Sequence, residues 1–143
     1  MSGIDGSALG RRVVASVPVR VADVGGWTDT WFGSPGQVCS VAVGPGVQIE
    51  GLVVRRDGSD RGGALVRLVA PSLGQDYGVS PSAEFGWLRP VPGRHPLLEH
   101  AVGAALADTF VDPTVTIELR IASDVPPGAS LGTSEAMRSS IVT

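Results

Sequence analysis

Val115-Thr116-Ile117-Glu118-Leu119-Arg120-Ile121-Ala122-Ser123-Asp124-Val125-Pro126-Pro127-Gly128-Ala129-Ser130-Leu131-Gly132-Thr133-Ser134 carries both the clearest element of the chain and its most specific loop. Val115, Ile117, Leu119 and Ile121 alternate with Thr116, Glu118 and Arg120, which predicts a half-buried strand with one wet face. The strand runs into a segment of small residues and then into Glu135-Ala136-Met137, a helix start. Strand, Gly/Ser loop and helix N-terminus together form an arrangement suited to phosphate. Small residues let the backbone approach closely, and unpaired N–H groups point at the anion. Thr133 or Ser134 can cap the helix or offer a hydroxyl to a magnesium ion. An ordinary strand-to-helix connection with a capping hydroxyl fits the same residues. The loop lacks the Gly-Lys-Ser/Thr ending of a P-loop and is not Gly-x-Gly-x-x-Gly.

Upstream of this stretch, Val-rich segments punctuated by Gly and Pro predict further strands. Val13 to Val21 is one, with Val17, Val19 and Val21 on one face. Pro18 assigns it to a sheet edge or a short strand. Gln37 to Val43 and Val47 to Arg55 are expected as two strands separated by Gly44-Pro45-Gly46. Asp57-Gly58 marks a turn, and Ala64 to Ala70 is a fourth candidate. Pro71 to Gly93 is expected to be irregular. Pro96 suits a first helical position. Leu97, Leu98, Ala101, Val102, Ala105 and Leu106 then form a helical apolar stripe, which Asp112-Pro113 is expected to end. The fold class is α+β, a mainly antiparallel sheet covered by helices. Residues 1–12 are expected as a tail and 13–143 as one domain.

Composition bounds the function. The chain has 143 residues, 43% hydrophobic and 17% charged, enough to bury a core. It holds no run of the roughly 18 apolar residues that reads as a bilayer span, and Met1 to Gly10 has neither the basic start nor the apolar run of a signal peptide. A cytoplasmic location is therefore expected. All 11 basic residues are arginine and the net charge is -3, so any chemistry here proceeds without lysine. Scattered arginines and a pI near 5.2 argue against a nucleic-acid partner. The single cysteine, Cys39, cannot form an internal disulfide and is expected as a small buried core residue. With two histidines far from it, no zinc site is proposed.

Pro126-Pro127-Gly128-Ala129-Ser130-Leu131-Gly132-Thr133-Ser134 is similar to the second motif of the galactokinase, homoserine kinase, mevalonate kinase and phosphomevalonate kinase (GHMP) family. Val17-Pro18-Val19-Arg20-Val21-Ala22-Asp23-Val24-Gly25-Gly26-Trp27-Thr28-Asp29-Thr30 resembles its first motif, in the form found in the fucokinase and heptose 7-phosphate kinase branch. The resemblance spans about residues 13–138 and implies an N-terminal GHMP kinase domain of the ribosomal protein S5 domain 2-like fold. It implies an ATP-dependent kinase for a sugar or sugar-phosphate hydroxyl, with Mg2+ as cofactor. Residues Pro127, Gly128, Ala129, Ser130, Leu131, Gly132, Thr133 and Ser134 would wrap the ATP phosphates, and Thr133 and Ser134 would help hold magnesium. Asp29 would accept hydrogen bonds from sugar hydroxyls beside Trp27. Arg20 would lie near the substrate and the transferred phosphoryl group, as the catalytic contribution of this part of the chain.

Two departures from the family pattern stand in the loop. Ser130 replaces a glycine, which reduces backbone freedom there, and Glu135 places a carboxylate beside the phosphate site. Asp124 stands at the loop entrance. The family's general base and third glycine motif follow the second motif, so the chain is expected to be truncated before a C-terminal domain. On that expectation it would be inactive alone and self-associating through an exposed apolar face. A non-catalytic sugar or nucleotide binder derived from such a kinase is the alternative reading. A third is a purely structural domain of the same fold as one found in translation proteins, with RNA as its partner, which the acidic balance disfavours.

Overall fold

The computed structural model describes residues 3–24, 37, 39–56, 64–80 and 96–126. Seven strands and one α-helix are present among them. The strands are β1 (Gly3–Ile4), β2 (Arg12–Val24), β3 (Cys39–Arg55), β4 (Val66–Ala70), β5 (Gln75–Val79), β6 (Phe110–Val111) and β7 (Val115–Ser123), and the helix is α1 (Pro96–Leu106). Five strands form one sheet in the order β2-β3-β7-β4-β5, and β1 pairs with β6 beside it. In the large sheet β2–β3, β3–β7 and β4–β5 are antiparallel, and β4–β7 is parallel. The fold is α+β with a mixed, mainly antiparallel sheet. Pro18 lies in β2, an edge strand, where a missing N–H donor costs no ladder bond on the outer side.

The alternation in β7 sets the layers. Val115 and Ile121 are fully buried and Ile117 is 8% exposed. They join Val47, Ile49 and Val53 of β3, Val66 and Leu68 of β4, and Leu98 and Val102 of α1 in a single core. Helix α1 meets the sheet through the expected stripe, with Leu98, Ala101 and Val102 at 2% exposure or less. Glu99 of its first turn is buried as well.

On the other face, charges of alternating sign cross all five strands. Asp76 of β5 accepts two hydrogen bonds from Arg67 of β4, both 3.1 Å. Arg67 also reaches Glu118 of β7 at 3.8 Å, and Glu118 accepts from Arg120 at 3.3 Å. Arg120 is in register with Glu50 of β3, which accepts from Arg12 of β2 at 2.8 and 3.0 Å. Arginines scattered in sequence thus become one cross-strand row. Thr116 departs from this face's exposure. It is 3% exposed because its hydroxyl donates to the Ala64 carbonyl at 3.0 Å.

The Arg12 hydrogen bonds hold the Glu50 carboxyl below its ordinary value of 4.5. A carboxylate whose folded-state pKa is depressed stabilises the fold above its unfolded-state value, and that contribution disappears as pH falls through the folded-state value. Glu50→Gln should therefore be slightly less stable than the parent at neutral pH, as befits an exposed pair. The two denaturation midpoints should converge as pH falls through the depressed Glu50 value. Urea melts between pH 3 and 7 test this; a gap that persists or widens in acid contradicts it.

Several expectations are corrected. Gly44-Pro45-Gly46 does not separate two strands. It lies inside β3, where the pairing with β2 steps from Pro18↔Gly46 to Val19↔Val43. A two-residue bulge preserves side-chain alternation, so the strand continues past it with its faces unchanged. Within Pro71 to Gly93, expected to be irregular, a 3-10 turn at Pro71–Leu73 and Gly74 in the left-handed region (φ 63°) lead into β5. In Gln75-Asp76-Tyr77-Gly78-Val79 only Tyr77 and Val79 pack on the core, an alternation too short to mark a strand in the sequence.

The helix ends at Leu106, before Asp112-Pro113. That dipeptide instead forms the turn into β7, with Val115 N–H donating to the Asp112 carbonyl at 3.1 Å and the Asp112 carboxylate accepting from Thr114 N at 2.7 Å. Proline at the second position and aspartate at the first suit such a turn. Residues 1–12, expected as a tail, contribute β1 and the first residue of β2, and Ile4 and Ala8 pack on the core. Cys39 is exposed rather than buried, because β3 begins beyond the end of β7 and no described residue covers it there. Asp57-Gly58 lies outside the described residues.

Candidate functional site

The two motif-bearing segments are about a hundred residues apart in sequence and meet at one end of the sheet. Val17 of β2 is paired with Val47 of β3, and Val47 with Ser123 at the end of β7. Both pairings are antiparallel, so β2 and β7 run in the same direction with β3 between them. The chain leaves β7 where β2 has reached Val17, and β2 continues through Arg20 to Val24. From strand spacing and rise, Arg20 lies about 10 Å across and about 10 Å along from the Ser123 exit.

Beyond that exit the sheet narrows to a two-stranded ribbon, Val19–Val24 against Cys39–Val43. Val19 is 2% exposed and anchors its root, whereas Val21 and Val41 are 42% and 59% exposed. Arg20 is exposed and in register with Ala42. By strand alternation it projects from the face opposite Val19. Val21 shares the face of Val17 and Val19, as expected, but is exposed, because nothing among the described residues covers the ribbon.

The loop entrance has its own lock. The Ser123 hydroxyl donates to the Val125 carbonyl at 2.7 Å and accepts from the Val125 N–H at 3.2 Å. Val125 is 7% exposed, which tucks the chain under the sheet end before Pro126 emerges. Asp124 extends the ladder by one bond, its N–H donating to the Gly46 carbonyl at 3.3 Å. The Asp124 side chain belongs to an exposed residue. Gly46 is thus the residue between the two segments, and no motif pointed to it.

Trp27, Asp29, Pro127, Gly128, Ala129, Ser130, Leu131, Gly132, Thr133 and Ser134 lie outside the described residues, as does Glu135. Of the expected site residues, the structure places Arg20, together with the strand that leads to Trp27 and Asp29 and the strand that leads to the loop.

Solved structures share this fold. A D-glycero-D-manno-heptose 1-phosphate kinase from Bacteroides thetaiotaomicron superimposes with a TM-score of 0.61 over 92% of this chain, at 18% identity. The chain has the fold of these kinases. A candidate sugar kinase from Campylobacter jejuni matches at 0.59 over 92% with 16% identity. A mevalonate kinase from Methanococcus jannaschii matches at 0.56 over 93% with 15% identity. The kinase fold here is the one that the two motifs implied. The chain spans 39%, 38% and 39% of these three proteins' lengths, respectively. No protein-family model and no curated protein sequence matches the chain. Among the described residues, no helix is long and apolar enough to cross a membrane.

Proposed function

We propose that the chain is the ATP- and sugar-binding part of a GHMP-type kinase that transfers a phosphoryl group from ATP to a hydroxyl of a sugar or sugar phosphate. The observation that carries this reading is the meeting of the two motif-bearing strands at one sheet end, in a fold shared with heptose 1-phosphate and mevalonate kinases. Such transfer rests on positioning the nucleotide, neutralising charge and orienting the acceptor hydroxyl.

The described residues fit a polyanionic ligand in one concrete respect. An exposed guanidinium, Arg20, and a strand exit fixed by Ser123 and Val125 share the same end of the sheet. ATP with Mg2+ supplies the transferable phosphoryl group. The N–H groups of residues 128–134 would hold its phosphates, and the hydroxyls of Thr133 and Ser134 would hold the magnesium. Arg20 balances charge on the phosphoryl group, a role for which a fixed guanidinium is suited. Asp29 accepts hydrogen bonds from two sugar hydroxyls beside Trp27. The work is carried out in the cytoplasm.

The test separates the two ligands. Asp29→Ala is expected to weaken sugar binding by roughly tenfold or more, the worth of a hydrogen bond to a charged group, while Mg·ATP affinity stays at the parent level. Titrations with fucose, a heptose 1-phosphate and a heptose 7-phosphate, each with and without Mg·ATP, read this out. Unchanged affinity for the sugar that the parent binds would remove Asp29 from the site. Parent protein that binds none of the three would remove these sugars from the reading.

A further inference from the structure

We propose that Gly46 is a positioning residue that sets the distance between Arg20 and Asp124, which leads into the sequence that the kinase reading above assigns to the ATP phosphates; the proposal rests on that reading. Gly46 belongs to neither motif. Its carbonyl accepts from the Asp124 N–H at the loop entrance, and the space that a side chain on it would need is taken by the backbone of Val17 and Pro18, the latter two residues before Arg20. It is in register with Pro18 at the step where β3 bulges. A Cβ built on Gly46 would collide with the Val17 carbonyl oxygen and sit 2.9 Å from the Pro18 Cα. Both are backbone atoms of the edge strand, so no side-chain rotation relieves the contact.

Carbon atoms in contact rest about 3.5–4.0 Å apart. Any side chain at position 46 must therefore push β2 away from β3 by about 0.6 Å or more at Pro18. Because β3 holds Asp124 on its other side, the displacement changes the spacing between Arg20 and Asp124. A misplacement of about 1 Å in a reacting group can cost about a hundredfold in rate. Gly44, in the same bulge, makes the control. A Cβ there meets nothing within 4 Å, so Gly44→Ala changes the bulge's composition without moving β2.

The consequence is specific to the γ-phosphate. If Arg20 contacts that group, the chain binds ATP more tightly than ADP, by roughly tenfold or more. Gly46→Ala should abolish this preference while leaving ADP affinity unchanged, and Gly44→Ala should retain it. General loss of structure would weaken both nucleotides together. The experiment is titration of the 143-residue chain and both variants with Mg·ATP and Mg·ADP, alongside amide exchange. In Gly46→Ala the Asp124 amide should exchange faster than in the parent and in Gly44→Ala.

A folded Gly46→Ala protein with the parental ATP-to-ADP ratio and parental Asp124 exchange overturns the proposal and leaves the kinase reading standing. A parent chain that binds neither nucleotide overturns the kinase reading, and this proposal with it. If Gly46→Ala does not fold, the parent decides. Mg·ATP must then slow exchange in residues 17–20 as well as at Asp124, and protection at Asp124 alone overturns the coupling.

Discussion

Gly132→Val is expected to lower Mg·ATP affinity by a hundredfold or more. Where a loop wraps phosphates, its backbone must approach within hydrogen-bonding distance, and a branched side chain keeps the anion out. Losing two N–H bonds to a charged oxygen, each worth about 1.5–3 kcal/mol, corresponds to that factor or more. Calorimetric titration of the folded variant tests this. Parental affinity would mean that phosphates do not bind at this loop. The departures Ser130 and Glu135 make the measurement informative, since a side chain and a carboxylate already stand where the family has smaller neutral residues. Reverting them together, Ser130→Gly with Glu135→Ala, should raise affinity if they impede the anion.

The second large effect concerns the fold that positions this loop. Leu98 is fully buried between α1 and the sheet, in one cluster with Leu68, Ile117 and Ile121. Leu98→Ala should destabilise the chain by about 2–5 kcal/mol, the range for removing buried methyl groups and leaving a cavity. At this chain length that corresponds to a midpoint lower by roughly 10 °C. His100, on the exposed side of the same helix, provides the comparison: His100→Ala should stay within about 0.5 kcal/mol. Thermal melts of the two variants test whether α1 covers the sheet through this face. Equal, small losses would mean that the helix is not packed as described.

Much of the fold could be anticipated wherever a residue pattern reports its own environment. The alternation from Val115 to Ile121 reproduces β7 because each side chain's polarity matches the face it occupies. The stripe from Leu97 to Leu106 reproduces α1 for the same reason, and Pro18 identified the edge strand. Legibility failed where tertiary context overrides local chemistry. Gly44-Pro45-Gly46 has the composition of a turn, yet pairing with β2 on both sides of the bulge, at Gly46 and at Val43, holds it in one strand. Gln75 to Val79 offers only Tyr77 and Val79 to the core, so its alternation is too short to mark it. Cys39 sits in an apolar run but on a ribbon that outlasts the sheet.

The site divides along similar lines. Arg20 and the loop entrance were identifiable from motif resemblance, since small residues before a helix are a chemical requirement of phosphate binding. Gly46 was not identifiable, because its role depends on which backbones it touches. No local pattern around Gly46 encodes its contact with Val17 and Pro18 or its bond to Asp124. A glycine inside a strand is a signal of close backbone approach. It could have been used only once Gly44 to Gly46 was known to lie within a strand.

The central claim is that the loop after β7 and the Arg20 strand hold one ATP between them. A crystal structure of the chain with magnesium and a non-hydrolysable ATP analogue tests it most directly. The account predicts triphosphate density against the backbone of residues 127–134, with the terminal phosphate facing Arg20. An analogue bound elsewhere, or a terminal phosphate directed away from Arg20, would contradict it.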